Sequence, residues 1–277
     1  MRLICFSGIF FAAFGTLYGG PISVTPGTII VEHAGQPFTT SSLQAYSSTG
    51  SLLSTGQATG ANQIVNGIAV LNGSLFLGDG AGYVDNVNLV SGAVTSSFYT
   101  GSVIGGLAAL NGSLLTFNPF TSGGASFKVY STSGSLLQTI VLGSVPSTSL
   151  GPVTSDGTSI YLADEYTGMV YQYSLTGALL NSFNTNTGSG FFGAALSGIA
   201  YSAANNSLWI SDDKTDQLID LSTSGTLLSE LSTGAFIPAN LAVVATSAPE
   251  PGYAALFFFG LAMAISAQPI LRRYRIG

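Results

Sequence analysis

A phrase that returns at a nearly fixed interval constrains this chain more than any other feature. It reads small residue, glycine, any residue, then an apolar pair. The copies are Thr49-Gly50-Ser51-Leu52-Leu53, Ser133-Gly134-Ser135-Leu136-Leu137, Thr176-Gly177-Ala178-Leu179-Leu180 and Ser224-Gly225-Thr226-Leu227-Leu228, with a weaker one at Ser91-Gly92-Ala93-Val94-Thr95. The glycines fall at 50, 92, 134, 177 and 225, in steps of 42, 42, 43 and 48 residues. A unit of about 40–45 residues is the period of a four-stranded propeller blade.

A second phrase runs half a repeat out of step: Asn72-Gly73-Ser74-Leu75, Asn111-Gly112-Ser113-Leu114, Asp156-Gly157-Thr158 and Asn205-Asn206-Ser207-Leu208. Asn-Gly and Asp-Gly accept positive φ at both central positions, so these copies are expected to be tight two-residue hairpins. Asn66 to Leu71 is then an inner strand, Ser74 to Gly78 the second, Tyr83 to Leu89 the third and Ala93 to Phe98 the outermost. Gly-Ile-Ala at 67–69 and 198–200, and Gly-Leu-Ala at 106–108, set small residues where inner strands converge. The body begins in mid-blade, with 28–31, 43–47 and 51–55 as second, third and outer strands. The missing inner strand appears at 239–244. A blade closed by both ends of the body leaves no free inner edge. The expected fold is all-β, a propeller of five four-stranded blades closed by N- and C-terminal strands. Six blades is the other count, and a β-solenoid or β-sandwich the other architecture.

Composition agrees with strands and turns. Charged residues make up 6% of the 277, and 36 are glycine. Glu, Lys and Arg, the charged helix formers, are scarce. Of six basic residues, Arg2 stands at one extremity and Arg272, Arg273 and Arg275 at the other, leaving Lys128 and Lys214 for the body. All acidic residues but Glu250 lie in that body, so it is anionic and lacks the cations that nucleic-acid binding needs. Nucleic acid is excluded as a partner. The single cysteine, Cys5, stands in the N-terminal segment, which removes any disulfide framework or cysteine-based site from the body.

The extremities read as addresses. Arg2 precedes an apolar run from Leu3 to Phe14 and small, turn-forming residues through Gly20-Pro21, the pattern of a secretory signal over 1–20. Cleavage by signal peptidase after Gly15 or near Gly19 fits equally; a buried N-terminal strand is the other use of this run. The body spans 21–246. After it come Pro249-Glu250-Pro251, an apolar stretch 253–267, Gln268-Pro269, and the basic cluster. Twenty residues from Gly252 to Leu271 make a helix of about 30 Å, long enough for a bilayer core. The arginines beyond it stay cytoplasmic by the positive-inside rule, which puts the body outside.

Pro-Glu-Pro, an apolar segment and a terminal arginine cluster resemble the PEP-CTERM sorting domain. The resemblance covers 247–277 only. It implies an envelope-sorted protein of a Gram-negative bacterium that makes extracellular polysaccharide, first held in the cytoplasmic membrane as a precursor, then released to the envelope or matrix. It also implies recognition by an exosortase at Pro249, Glu250 and Pro251, with Arg272, Arg273 and Arg275 as basic anchor. Pro269 and Gln268 depart from the usual tail by interrupting the apolar run. An ordinary C-terminal anchor after a proline linker is the alternative.

Acids recur where second strands end: Glu32, Asp79, Asp164 with Glu165, and Asp212 with Asp213. Carboxylates on one face suit Ca²⁺ or sugar hydroxyls; equally, each Asp can cap the backbone of its own turn. No other cofactor is expected. His33 is the only histidine and no Gly-x-Ser-x-Gly elbow accompanies it, which argues against a serine hydrolase. The stretch from Asp156 to Asp164 is similar to NHL-repeat and gluconolactonase-like propellers. That similarity implies fold, and makes Asp164 and Asp212 metal ligands in a lactonase-like reading. A glycosidase-like reading would use Asp79, Asp164 and Asp212. The expected function is a non-enzymatic binding or scaffolding propeller, with extracellular polysaccharide as a candidate partner; an enzyme acting on extracellular carbohydrate is the alternative.

Overall fold

A computed structural model of the chain describes residues 21–22, 25–33, 40–59, 65–119, 125–185, 196–234 and 238–245. The sorting motif, the basic cluster, Cys5 and the signal segment lie outside the described residues. Twenty strands, and no helix, occur among those described.

The first blade holds β1 (Ile29–His33), β2 (Thr40–Tyr46) and β3 (Leu52–Thr59). The second holds β4 (Val65–Leu71), β5 (Ser74–Asp79), β6 (Tyr83–Val87) and β7 (Val94–Tyr99). The third holds β8 (Gly106–Leu110), β9 (Ser113–Asn118), β10 (Ser126–Tyr130) and β11 (Leu136–Val141). The fourth holds β12 (Leu150–Ser155), β13 (Ser159–Asp164), β14 (Met169–Ser174) and β15 (Leu179–Asn184). The fifth holds β16 (Leu196–Ser202), β17 (Ser207–Asp212), β18 (Gln217–Ser222) and β19 (Leu227–Ser232). The last strand, β20 (Pro238–Val243), pairs antiparallel with β1 and completes the first blade as its inner strand. Each inner strand packs against the next, in the closed cycle β20, β4, β8, β12, β16. The expected five blades and two-ended closure are observed.

Burial grades outward along each blade. The second strands β13 and β17 are buried at every residue, because a strand between two neighbouring blades faces apolar side chains on both sides. The outer strands β15 and β19 are exposed over their first four residues. Five apolar clusters account for the core, one at each blade–blade junction. Trp209 and Leu218 meet Ile29, Val31 and Leu241 where the fifth blade joins the first, for example. Phe117 and Phe127 meet Ile160, Leu162 and Tyr173 between the third and fourth. Neither face of a blade is satisfied alone, so the ring and not the blade is the unit that buries a core.

The repeated glycine phrase has a structural reason that spacing alone does not give. Gly177 has φ +85°, and a Cβ placed there would lie 2.1 Å from the Val141 carbonyl oxygen of the preceding blade's outer strand. Gly92 repeats this against Gln57 at 2.0 Å. Both a left-handed backbone and a backbone close approach thus demand glycine at this turn. A serine three residues earlier closes the turn. The Ala178 amide donates to Ser174 Oγ at 3.1 Å and the Gly177 amide to the Ser174 carbonyl at 3.0 Å. Ser47, Ser131 and Ser222 do the same in three other blades, and Asn88 replaces them in the second. Asn88 also ends the third strand there at Val87, two residues before the expected Leu89.

The second phrase divides. Asn72-Gly73 and Asn111-Gly112 are two-residue hairpins with positive φ at both positions, as expected. The fourth and fifth blades instead use longer connections, 156–158 and 203–206. There Asp156 Oδ1 accepts from the Thr158 and Ser159 amides at 2.7 and 2.6 Å, so the side chain shapes a wider loop.

Candidate binding face

Antiparallel order gives every blade two unlike ends. Turns from second to third strand lie at one end, the carboxylate end. The opposite, glycine end holds the first-to-second and third-to-outer turns. The described chain begins and finishes at this second end, where the Gly27 amide donates to Val244 O at 2.9 Å and the Val244 amide to Thr28 O at 2.8 Å.

Glu32, Asp79, Asp164 and Asp212 occupy equivalent places at the carboxylate end, all within the last two residues of their second strands. All four are buried. Asp79 Oδ1 accepts from the Ala81 and Tyr83 amides at 3.0 and 2.7 Å. Asp164 Oδ1 accepts from Tyr166 and Thr167 amides at 2.9 and 3.1 Å. Asp212 takes the Lys214 amide at 3.0 Å on Oδ1 and the Thr215 hydroxyl at 2.9 Å on Oδ2. Each aspartate therefore caps its own turn. Burial alone would raise the Asp164 pKa, but hydrogen bonds from the Ser147 hydroxyl and the Tyr166 and Thr167 amides hold it below the ordinary value. The Asp79 Oδ2 is buried without a hydrogen-bond partner among the described residues. Among the described residues no three His, Cys, Asp or Glu side chains gather so as to hold a metal ion. The four acids share one end of the ring but not one cluster. His33 closes β1 opposite Pro238.

Asn118 fills the fifth equivalent place, in β9. Its Nδ2 donates to Val103 O at 2.8 Å and to Ser102 Oγ at 2.9 Å, and Lys128 Nζ also reaches Ser102 Oγ at 3.3 Å. A search for acids passes over it. Aligning the tetrapeptides that end second strands, Phe-Leu-Gly-Asp, Leu-Thr-Phe-Asn, Tyr-Leu-Ala-Asp and Trp-Ile-Ser-Asp, exposes it.

Further asparagines tie inner strands at the same end. Asn240 Nδ2 donates to Glu32 Oε2 at 3.0 Å and to Val65 O at 2.9 Å, and Asn66 Nδ2 donates to Ile104 O at 2.9 Å. Both sit where the inner strand's register slips against the second strand, between Val65 and Gly67 in one case and opposite Glu32 in the other. Such a bulge frees a side chain to reach the next blade. The Ser211 hydroxyl, donating to Ala239 O, bonds the fifth blade to the first.

Two acids beside the caps differ from them. Glu165 is exposed as a residue, yet its carboxyl folds back to within van der Waals reach of Gly151 on the fourth inner strand. Burial, then the charges of Asp164 and Asp213, push its pKa up. Burial also raises Asp213, against a hydrogen bond from Ser197 that lowers it. The Asp213 charge is felt at Glu165, and both carboxyls, at the carboxylate end, hold a proton more readily than an ordinary carboxylate.

No family model matches the chain, and no curated protein matches it. Solved structures resemble it distantly. A glutaminyl cyclase from Myxococcus xanthus is 15% identical, with a TM-score of 0.48 over 61% of this chain and 70% of its own. A functionally unknown protein from Desulfotomaculum acetoxidans is 18% identical, with a TM-score of 0.46 over 83% and 76%. A virginiamycin B lyase from Staphylococcus aureus is 12% identical, with a TM-score of 0.45 over 73% and 70%. Likenesses this remote carry no functional argument, and the fold assignment rests on the strand order itself.

Proposed function

We propose that this chain is an exported, envelope-sorted surface or extracellular-matrix protein whose propeller binds or scaffolds, and whose C-terminal segment is an exosortase substrate. The observation that carries the sorting half is Pro249-Glu250-Pro251 followed by the apolar stretch and three arginines, beginning just after Val244 leaves the ring. The non-enzymatic half is supported by the caps: Asp79, Asp164 and Asp212 accept hydrogen bonds from their own turns and are committed to backbone geometry. Extracellular polysaccharide is the partner this reading favours, with the carboxylate end as its surface. Mass spectrometry of the mature chain from fractions of the native host tests it. The expected C-terminus lies near Pro249 to Pro251. Protein recovered outside the cell with Arg272 to Gly277 still attached overturns the sorting half.

The raised Glu165 and Asp213 carboxyls favour a second reading, catalysis on extracellular carbohydrate, because a carboxyl group that keeps its proton above the ordinary carboxylate range can serve as a general acid. Under that reading Glu165→Gln abolishes turnover of a glycoside while binding persists. Equal and unmeasurable turnover by both forms discards it.

A further inference from the structure

The two ends of the ring differ in charge as sharply as in shape. Glu32, Asp79, Asp164, Glu165, Asp212, Asp213 and Asp216 stand at the carboxylate end, whereas Asp156 alone occupies the described turns of the glycine end. That second end carries leucines instead. Each outer strand begins with a register slip: Tyr46 pairs with Leu52 and Ala45 with Ser54, so Leu53 is an extra residue. The same slip makes Leu137, Leu180 and Leu228 extra. Both members of each pair, Leu52–Leu53, Leu136–Leu137, Leu179–Leu180 and Leu227–Leu228, are therefore turned to solvent, 39 to 59% exposed. The fold does not require leucine here, because the second blade makes the same slip with Val94 and Thr95. At that blade the place is partly covered from within: Ile22, whose amide donates to Leu89 O at 2.9 Å, joins the apolar cluster on which Val94 packs.

We infer that in the membrane-held precursor the glycine end of the ring is a lipid-facing surface, seated on the outer leaflet of the membrane by its four exposed leucine pairs while the carboxylate end points away. The inference rests on the membrane-sorted reading above and adds an orientation to it. Three observations converge. The described chain both starts and stops at this end, so either apolar extremity entering a bilayer draws this end toward it. Six residues, 246–251, separate Ala245 from Gly252, seven Cα-to-Cα steps with a reach of at most about 25 Å, which holds the ring close to the surface. Charge then selects the orientation, because an anionic end is repelled by anionic lipid while an almost uncharged, leucine-bearing end is not. Exposed leucines in repeated places are otherwise an aggregation liability.

The test uses Pro21–Gly277, which retains all twenty strands, with vesicles of phosphatidylethanolamine and phosphatidylglycerol containing a nitroxide-headgroup lipid. A fluorophore is placed on Thr132→Cys at the leucine end or on Ala81→Cys at the carboxylate end; both residues are exposed and the segment carries no other cysteine. Flotation with the vesicles, loss of most emission from the Thr132 label and none from the Ala81 label is the expected result. In the variant carrying L136S, L137S, L179S and L180S, flotation persists and the Thr132 label recovers its emission. Flotation with the Ala81 label quenched, or with neither quenched, overturns the orientation and leaves the sorting reading standing. Shielding of the Thr132 label that follows protein concentration and ignores the nitroxide lipid means the leucines meet a second copy, which also overturns it. Failure to float removes the sorting reading, and this inference falls with it.

Discussion

The carboxylate end and the glycine end are built from the same five blades, yet one repeats and the other varies. At the glycine end the same turn recurs five times, with glycine at 50, 92, 134, 177 and 225, because each presses on the outer strand of the preceding blade. At the carboxylate end the equivalent residues are Glu32, Asp79, Asn118, Asp164 and Asp212, and their hydrogen bonds differ blade by blade. Close approach between blades favours one solution: at Gly92 and Gly177 a backbone carbonyl leaves no room for a side chain, and at Gly50, Gly134 and Gly225 the Leu231, Phe98 and Phe183 side chains crowd the place. Capping a turn that faces outward permits several, and individuality collects there. Variation at the carboxylate end is therefore where recognition can be encoded.

The largest effect expected on breaking this comparison is Gly177→Ala, which adds a left-handed penalty to a backbone clash and costs about 3 kcal/mol. Gly73→Ala is the control: φ is +75° but nothing lies within 4 Å of the new Cβ, so only about 1 kcal/mol is lost. Urea unfolding followed by Trp209, the single tryptophan, buried between the fifth and first blades, measures both. Equal losses would mean that the contact between blades is unimportant.

Asn240→Ala comes next. It leaves the buried Glu32 carboxylate and the Val65 carbonyl without their shared donor, at a cost of about 2 kcal/mol. Asn240→Asp costs more, since it sets a second carboxylate against Glu32. A stability order with Asp above Ala contradicts the geometry.

The pH dependence is a smaller effect. Burial raises Asp85, Asp213 and Asp220, and burial with neighbouring charge raises Glu165. Between the ordinary carboxylate range and these raised values the folded ring keeps protons that the unfolded chain has released, so stability falls as pH rises through that window. Asp156 and Asp164, despite burial, are lowered by hydrogen bonds; their contribution is present above the unfolded value and is lost as pH falls through the folded one. Melting temperature should be higher at about pH 5 than at about pH 7, then drop in stronger acid. A steady decline from neutrality to pH 5 is the contrary outcome. Smallest of all is Leu137→Ser, which should change stability by less than about 0.5 kcal/mol, because its side chain is already 59% exposed. A large loss would show the leucine to be part of the core.

Much of the ring was readable in the sequence because the contacts that define it are periodic. Glycine spacing yields the blade length, and continuous apolar runs such as Ile160 to Ala163 mark strands buried on both faces. The three-stranded part-blade at 28–55 finds its missing inner strand at 239–244 by counting strands. Less was readable where one side chain answers another far away in sequence. Asn240 lies 208 residues from Glu32, and Asn66 reaches across a blade boundary to Ile104; no local pattern marks either bond. The wider loop at 156–158 is not legible because Asp156 shapes it through its side chain, whereas Asp-Gly composition suggests a two-residue turn. Among the acids, position could be read but use could not. Whether a carboxylate caps a turn or faces a ligand depends on where its oxygens point, and composition is silent on that.

Closure by strands from both ends of the body is tested most directly by a disulfide across the joining pair. In a Cys5→Ser background, Ile30→Cys and Ala242→Cys place thiols on residues that face each other in register between β1 and β20, a separation that antiparallel partners of about 4.5–5.5 Å bring within bonding range. Mild oxidation should then give a monomer that migrates faster without reductant and resists urea better. Failure to bridge, or bridging only between chains, would mean that the ring is not closed in this way.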